Sequence, residues 1–396
     1  MLPVIDPKDL EKWADYLLNH SLGGITPDDV VMLKGEYITW PLLSILQDKI
    51  FKAGAIADMN LVAPDNNRGQ VWGASITRHG TPEQIHRTPQ WHETRYNAMT
   101  KYIEVLGAEK PELFANLPEQ NSIELARVDG PFKAIRLSKK WLLTLYPTQA
   151  FADMEGMTLK EYTDIVVKAS TTDPKMLAQV EEPIARFMEK SKIIRIQTQH
   201  PQTNKMLELQ MDISGRFATC GIGERNFPDG EVFTSPNANS PQGEIFIDLP
   251  VYYNGVTISG IYLKMEGGKI VDYSANKEYE TLKRIIETDE GSHRLGEVAL
   301  GMNSGLQVAL KHPLFVEKVG GTLHIAIGDS YDSSYVKDPS SEQAKIEIEE
   351  YQKKGIINRS AQHVDVVADF RPGGVGRAVY LDDTRLSIKN NIWCIE

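Results

Sequence analysis

Two polar side chains share one face of a strand-like segment near the end of the chain. In AQHVDVVADF, residues 361–370, Val364 and Val366 favour a β-strand because branched side chains pack well on a pleated surface. Alternate residues of a strand point to the same side, so His363 and Asp365 lie together on the face opposite these valines. The strand therefore carries an imidazole beside a carboxylate, either as a solvated polar face or as a pair of ligands.

A second segment places a histidine in a similar setting. In GTLHIAIGDSY, residues 321–331, Leu323, Ile325 and Ile327 occupy one face of a predicted strand, and His324 lies on the other. Imidazole and carboxylate ligands together suit Zn, Mn, Co or Fe(II). A single histidine of this kind is usually a surface or hydrogen-bonded residue, but two such strands in one region favour a metal site.

Two glutamates further upstream lie in apolar surroundings. Glu231 follows a Pro-Asp-Gly turn and begins the strand-like segment EVFT. Glu297 follows Gly296 and precedes the apolar residues Val-Ala-Leu. A buried carboxylate is unfavourable unless it is paired or bound to a metal, so both are candidate ligands. Taken singly, each also fits an edge or surface position, and the sequence leaves open whether the segments converge.

The elements that must position these residues fall into two regions. In the first, DVVMLKG (29–35) predicts a buried strand, WPLLSILQDKIFKAGA (40–55) a helix that stops at Gly54, and AIADMNLVAP (55–64) a second strand. This order favours an α/β domain with a mostly parallel sheet. No GxGxxG or GxxxxGK[ST] motif follows a strand, so the sequence contains no nucleotide-binding fingerprint.

The second region has a different pattern. From Leu207 onwards apolar and polar residues alternate, as in half-buried antiparallel strands. Asn254–Gly255 and Gly267–Gly268 predict hairpin turns. We therefore predict an α/β N-terminal domain over residues 1–205 and an α+β C-terminal domain over residues 206–396, which contains all the candidate ligands.

Composition excludes several classes of protein. The chain has 396 residues, 41% of them hydrophobic, and a formal net charge of -11, which argues against a nucleic-acid binder and against an anionic-membrane binder. Two distant cysteines, Cys220 and Cys394, cannot build a disulfide framework or a cysteine zinc site. The first residues lack a signal-peptide pattern, and no apolar run approaches the about 18 residues of a membrane span. We expect a cytoplasmic protein.

Five segments, in chain order, resemble the metalloaminopeptidase family of aminopeptidase T, aminopeptidase S and PepS: PDGEVFTSP, TDEGSHRLGEVALG, HPLFVEK, HIAIGDSY and HVDVV. The resemblance covers most of residues 206–370. It implies an α/β N-terminal domain, a C-terminal metal-binding catalytic domain, and two divalent ions (Zn, Co or Mn) per chain. It also implies a homodimer that acts on peptides with a free N-terminus, and neither nucleic acid nor membrane is an expected partner.

The resemblance also assigns individual residues. The positions that match the family's metal ligands are Glu231, Glu297, Glu317, His324, His363 and Asp365. Glu297 matches the bridging carboxylate, and Tyr331 matches a tyrosine near the metals; these two are the expected catalytic residues.

Two features depart from the family pattern. Glu317 stands seven residues before His324, whereas the family's glutamate stands five before its histidine. An acidic helical insert at 338–355 separates the two histidine strands, where it could reshape the entrance to the site.

We predict a dinuclear metal-dependent aminopeptidase that hydrolyses N-terminal residues through a water between the two metals. The alternative is an Fe(II)-dependent ring-cleaving dioxygenase similar to 2,5-dihydroxypyridine dioxygenase. That chemistry needs only two histidines and one carboxylate, which His324, His363 and Asp365 would supply. Glu231 and Glu297 exceed this requirement and favour the peptidase.

Overall fold

The chain forms two compact units. A computed structural model describes residues 2–64, 73–87, 90–114, 117–253, 256–371 and 376–396. Unit 1 comprises Met1–Thr172 with Gly223–Pro228, and unit 2 comprises Asp173–Ile222 with Asp229–Glu396. Unit 2 thus begins ahead of the boundary predicted at residue 205. The helix Pro174–Lys190 accounts for the difference, because its buried residues join the hydrophobic core of unit 2.

Helices alternate with strands in unit 1 and are less frequent in unit 2. The α-helices are α1 (Pro7–Asp15), α2 (Trp40–Lys52), α3 (Ala74–His79), α4 (Pro82–His86), α5 (Gln90–Ala98), α6 (Glu119–Leu137), α7 (Gln149–Glu155), α8 (Leu159–Ser170), α9 (Pro174–Lys190), α10 (Tyr279–Ile286), α11 (Pro313–Val316) and α12 (Glu342–Lys353). Within the described ranges, no helix has both the length and the apolar character that crossing a membrane requires.

The strands make up three sheets. They are β1 (Val30–Glu36), β2 (Ile56–Val62), β3 (Lys101–Leu106), β4 (Lys140–Leu145), β5 (Ile193–Gln199), β6 (Met206–Asp212), β7 (Thr219–Cys220), β8 (Asn226–Phe227), β9 (Glu231–Thr234), β10 (Gln242–Ile247), β11 (Val251–Tyr253), β12 (Val256–Glu266), β13 (Lys269–Lys277), β14 (Leu295–Gly301), β15 (Thr322–Gly328), β16 (His363–Asp369), β17 (Ala378–Leu381), β18 (Thr384–Lys389) and β19 (Ile392–Ile395).

Unit 1 contains a parallel sheet in the order β2-β1-β3-β4-β8. The strands and helix predicted over 29–64 are observed as β1, α2 and β2. After α2 the chain turns at Gly54, which adopts a φ of +84° that a side chain would disfavour. The predicted fold class, an α/β domain followed by a domain rich in antiparallel sheet, is confirmed.

Unit 2 contains two antiparallel sheets. The larger runs β11-β12-β10-β6-β5-β17-β18-β19, with β13 beside β12, and the smaller runs β16-β15-β14-β9-β7. Apolar side chains from both sheets form one core, which includes Ile196, Leu209 and Ile325. The hairpin predicted at Gly267–Gly268 joins β12 to β13, and both glycines have positive φ. The turn predicted at Asn254–Gly255 lies outside the described residues.

Strand pairing in the smaller sheet fixes which residues share its second face. Leu323, Ile325 and Ile327 belong to the core, which leaves His324 on the opposite face as predicted. Residues paired across antiparallel strands lie on the same face. Ala326 pairs with both Glu297 and Asp365, so these carboxylates flank a small side chain. The sheet thus has one apolar face in the core and one face rich in carboxylates and imidazoles.

A bulge at Gly296 directs Glu297 to the polar face. Leu295 pairs with Ile327, and Glu297 pairs with the adjacent residue Ala326. Gly296 is therefore an extra, unpaired residue in β14, which is a β-bulge. As a result Leu295 and Val298 both face the core, although Glu297 lies between them. A Cβ at Gly296 would lie 1.9 Å from a backbone oxygen of residue 329, so only glycine fits.

Candidate metal centre

All six residues predicted as ligands lie in one region of unit 2. Five are on strands of the smaller sheet, and the sixth follows the short helix α11: Glu231 on β9, Glu297 on β14, His324 on β15, His363 and Asp365 on β16, and Glu317 after α11. Their potential ligand atoms form three groups within which all separations are 4.8 Å or less: Glu231, Glu297 and His324; Glu297, His363 and Asp365; and Glu317, His324 and Asp365. Four segments that are distant in sequence therefore converge.

His363 is oriented by the backbone. Its Nδ1 lies 2.8 Å from the carbonyl oxygen of Asp329, which can only accept a hydrogen bond, so Nδ1 carries the proton of the neutral ring. The Nε2 atom then points at Glu297 Oε2, 3.2 Å away, and at Asp365 Oδ1, 3.3 Å away. A backbone acceptor behind the ring fixes the tautomer in which Nε2 can bind a cation.

His324 faces a second group of carboxylates. Its Nε2 lies 3.2 Å from Glu297 Oε1, 3.4 Å from Glu231 Oε2 and 4.0 Å from Asp365 Oδ1. Because Oε1 of Glu297 faces His324 and Oε2 faces His363, the two oxygens of one carboxylate serve different imidazoles. This is the arrangement that a bridging carboxylate requires.

The separations and the buried oxygens both fit divalent ions. Nitrogen and oxygen ligands at about 2.0 Å from a tetrahedral ion lie about 3.3 Å from one another. The observed separations are close to this value: Glu297 lies 3.2 Å from each histidine Nε2, and Glu231 lies 3.4 Å from His324 Nε2. Glu231 Oε2 and Asp365 Oδ1 are buried and, among the residues that the structure describes, form no hydrogen bond of good geometry, although an imidazole Nε2 lies 3.4 Å from the first and 3.3 Å from the second. A cation would satisfy both oxygens.

Protons occupy this cluster in the absence of a dication. Burial alone would lower the pKa of both histidines, but the neighbouring carboxylates outweigh it and raise the pKa of His324 to about 9 and that of His363 to about 12. Burial also raises the pKa of Glu231 to about 7, although Lys318 opposes this. The metal-free cluster at neutral pH therefore contains two imidazolium groups that a bound dication would have to deprotonate.

We predict that metal uptake releases protons and strengthens as pH rises. Both histidine pKa values lie above 7, so each imidazole that becomes a ligand below its pKa must lose one proton. Affinity should then rise about tenfold per pH unit for each proton released, or about a hundredfold between pH 6 and 8 for one proton. Calorimetric Zn²⁺ titrations in buffers of different ionisation enthalpy count these protons. A count of zero at pH 7 would contradict the assignment of both histidines as ligands.

Tyr331 borders the cluster. Its ring centroid lies 4.9 Å from that of His363 and 5.4 Å from that of Phe233, and the residue is 45% exposed. Burial raises the pKa of the Tyr331 hydroxyl above its ordinary value. The nearby negative charges of Glu297 and Asp365 raise it further. The hydroxyl therefore stays protonated and can donate a hydrogen bond at the edge of the site.

Sequence reasoning missed Lys318 and Asp229. Lys318 is only 2% exposed, and its ammonium forms ion pairs with Glu231, with Glu317 at 3.2 Å and with Asp229 at 3.4 Å. The Pro-Asp-Gly segment predicts only a turn at Asp229. The available signal was the apolar segment Pro-Leu-Phe-Val before Glu317, which indicates burial of the whole stretch.

The fold and the site together define a candidate metalloenzyme. The chain combines an α/β unit with a unit of two antiparallel sheets, and the smaller of these sheets carries the carboxylate–imidazole cluster. The sequence profile of the thermophilic metalloprotease family (M29) matches residues 6–372, so the chain belongs to this family. The family that the sequence motifs resemble is thereby confirmed.

Individual relatives match over different lengths. Aminopeptidase 2 of Geobacillus stearothermophilus is 35% identical over 170 residues, which is 41% of this chain and 40% of that protein. Aminopeptidase T of Thermus aquaticus is 27% identical over 47% of this chain and 48% of its own length. The chain thus spans less than half the length of these two relatives. Aminopeptidase PepS of Streptococcus thermophilus is 24% identical over 98% of both chains.

A solved structure has the same fold. Wild-type AmpT from Thermus thermophilus superposes with a TM-score of 0.76 over 98% of this chain and 99% of its own, at 20% sequence identity. At this identity the similarity establishes the fold alone.

Proposed function

We propose that the protein is a dinuclear metal-dependent aminopeptidase. The observation that carries the proposal is the position of Glu297, whose two carboxylate oxygens face different histidines at 3.2 Å. Membership of a metalloprotease family, with aminopeptidases among the relatives, supports the same reaction class.

Each residue of the cluster has a role in this proposal. Two divalent ions, when bound, would polarise the scissile carbonyl and lower the pKa of a water between them. Glu297 would serve both positions, with His363 and Asp365 completing one and Glu231, Glu317 and His324 the other. Tyr331, protonated at neutral pH, would donate a hydrogen bond to the oxyanion that develops on the substrate.

Substrates, metal and assembly are further parts of the proposal. The substrates are peptides with a free N-terminus, because the family relatives are aminopeptidases. The donor set of carboxylates and imidazoles suits Zn, Co or Mn. A homodimer is proposed from the resemblance of the sequence motifs to aminopeptidases T, S and PepS.

Release of p-nitroaniline from amino-acid p-nitroanilides tests the function. Protein loaded with Zn²⁺, Co²⁺ or Mn²⁺ is expected to cleave the free-amine substrate and to leave the N-acetylated analogue intact. Protein shown by elemental analysis to hold two ions per chain, yet inactive on a panel of such anilides and on unblocked peptides, would refute the proposal.

One observation favours the dioxygenase as a second candidate. Glu231 and Glu317 form ion pairs with Lys318. If the centre holds a single metal, these two carboxylates therefore still have a role, which is to neutralise the buried ammonium. His324, His363 and Asp365 would then supply the two imidazoles and one carboxylate of an Fe(II) site. One Fe(II) per chain and oxygen uptake with 2,5-dihydroxypyridine would favour this candidate over the peptidase.

A further inference from the structure

Lys318 is a buried cation built into one side of the cluster. Its side chain is 3% exposed, and its ammonium contacts Glu231 Oε1, Glu317 Oε1 at 3.2 Å and Asp229 Oδ1 at 3.4 Å. A buried ammonium needs such partners, because an unpaired charge in the interior is strongly unfavourable. The carboxylates that stabilise Lys318 include two of the predicted metal ligands.

These contacts are distributed unevenly over the cluster. In the described part of the chain, the ion pairs of Lys318 are with Glu231, Glu317 and Asp229. The group of Glu297, His363 and Asp365 is not among its partners. Each of the other two groups, which both contain His324, includes one carboxylate that Lys318 already holds.

We propose that Lys318 makes the two metal positions unequal, so that the position at His363 binds a divalent ion tightly and the position at His324 binds one weakly. The inference rests on the proposed function, which assigns two ions to the centre. Lys318 acts in two ways. It competes for Glu231 and Glu317 as ligands, and its charge repels a dication placed beside the same oxygens in a buried, poorly screened site.

The inequality has a consequence for the chemistry of the centre. The ion at His363 would remain through purification, whereas the ion at His324 would exchange with the metal available in solution. Lys318 is therefore a positioning residue: it acts through Glu231 and Glu317, and it sets the charge and the free ligand oxygens at one metal position.

Metal binding to the full-length, metal-free protein tests the proposal. Zn²⁺ is titrated in competition with a chromogenic chelator, for the wild type, Lys318→Met, Lys318→Arg and the exposed control Lys345→Met. We expect the wild type to bind its first ion at least about tenfold more tightly than its second. Lys318→Met should strengthen the second ion about tenfold or more and leave the first nearly unchanged, and Lys318→Arg and Lys345→Met should resemble the wild type.

Histidine variants assign the two positions and do not depend on the folding of Lys318→Met. His363→Ala should abolish the tight ion, and His324→Ala the weak one. Equal affinities in the wild type, loss of the weak ion in His363→Ala, or a second ion that is unchanged or weaker in folded Lys318→Met would overturn the proposal. If the wild type binds one ion at all concentrations, gain of a second by Lys318→Met supports it and a single ion in both overturns it.

The outcomes separate this inference from the proposed function. Unequal binding that responds to Lys318, in a protein that cleaves no anilide or peptide, would leave the inference standing and refute the aminopeptidase. Peptidase activity in a protein whose two metal positions bind with equal affinity would support the aminopeptidase and refute the role of Lys318.

Discussion

Glu297→Gln is expected to lower kcat/KM on amino-acid p-nitroanilides by at least about 10³-fold. Glutamine keeps the size of the side chain but offers one oxygen and no charge, so it cannot serve both His324 and His363 as Glu297 does at 3.2 Å. Loss of a bridging ligand removes several kcal/mol of transition-state charge stabilisation, and about 4 kcal/mol corresponds to about 10³ in rate. Anilide kinetics with elemental analysis on the same preparations would measure both the rate and the bound metal.

A matched control is available on the exposed face of a strand in the same unit. Glu208 on β6 is exposed and accepts a hydrogen bond from Gln197 at 2.8 Å, so Glu208→Gln should keep full activity and metal content. Folding of Glu297→Gln is checked by circular dichroism, because the residue is 2% exposed. Full activity and two bound ions in folded Glu297→Gln would show that the carboxylate does not bridge the metals.

Much of the fold followed from local sequence patterns. In β15 the alternation of Leu323, Ile325 and Ile327 with polar or small residues put His324 on the face away from the core. The same period of two applied to β16 and its pair His363 and Asp365. These positions were predictable because a strand between a core and a polar face has only one register that buries its apolar residues.

Other features depend on packing that no local pattern reports. The start of unit 2 at Asp173 depends on which core receives the apolar stripe of α9, and an amphipathic helix does not encode that choice. The direction of the Glu297 side chain depends on the bulge at Gly296. A strict alternation starting at Leu295 would place Glu297 on the core face instead. An isolated glycine inside a strand was the only local sign of it.

Lys318 illustrates the same limit for the site. The resemblance to the metalloaminopeptidases assigns Glu317 as a ligand, but it gives no role to the adjacent Lys318. The structure buries both and surrounds the ammonium with three carboxylates, from Asp229 and Glu231 in one distant segment and from the adjacent Glu317. A cation among metal ligands can be recognised only when these segments are brought together, because its partner Glu231 is 87 residues away in sequence.

Removal of metal is expected to lower the melting temperature of unit 2 by roughly 10 °C. A ligand at 1,000 times its Kd stabilises the native state by about 4 kcal/mol, and 1 kcal/mol shifts Tm by about 2–4 °C for a domain of about 200 residues. In the metal-free cluster, burial disfavours the charged carboxylates and raises the pKa of Glu231 and of Glu317, whereas a bound dication would stabilise their charged forms. Scanning calorimetry of metal-loaded and chelator-treated protein, with metal content measured on both, gives the shift.

The variant Glu297→Gln separates loss of metal from other effects of the chelator. It lacks the proposed bridge, so its melting temperature should respond little to chelation, and adding Zn²⁺ back should restore stability only in the wild type. The size of the change in melting temperature distinguishes buried from surface ions. Removing ions bound at a surface cluster would leave Tm unchanged. The candidate ligands Glu231, Glu297 and His324 are instead buried, at 7%, 2% and 1% exposed. Dications at such buried positions must contribute to the folding free energy, so an unchanged melt after confirmed metal loss would mean that the ions bind elsewhere.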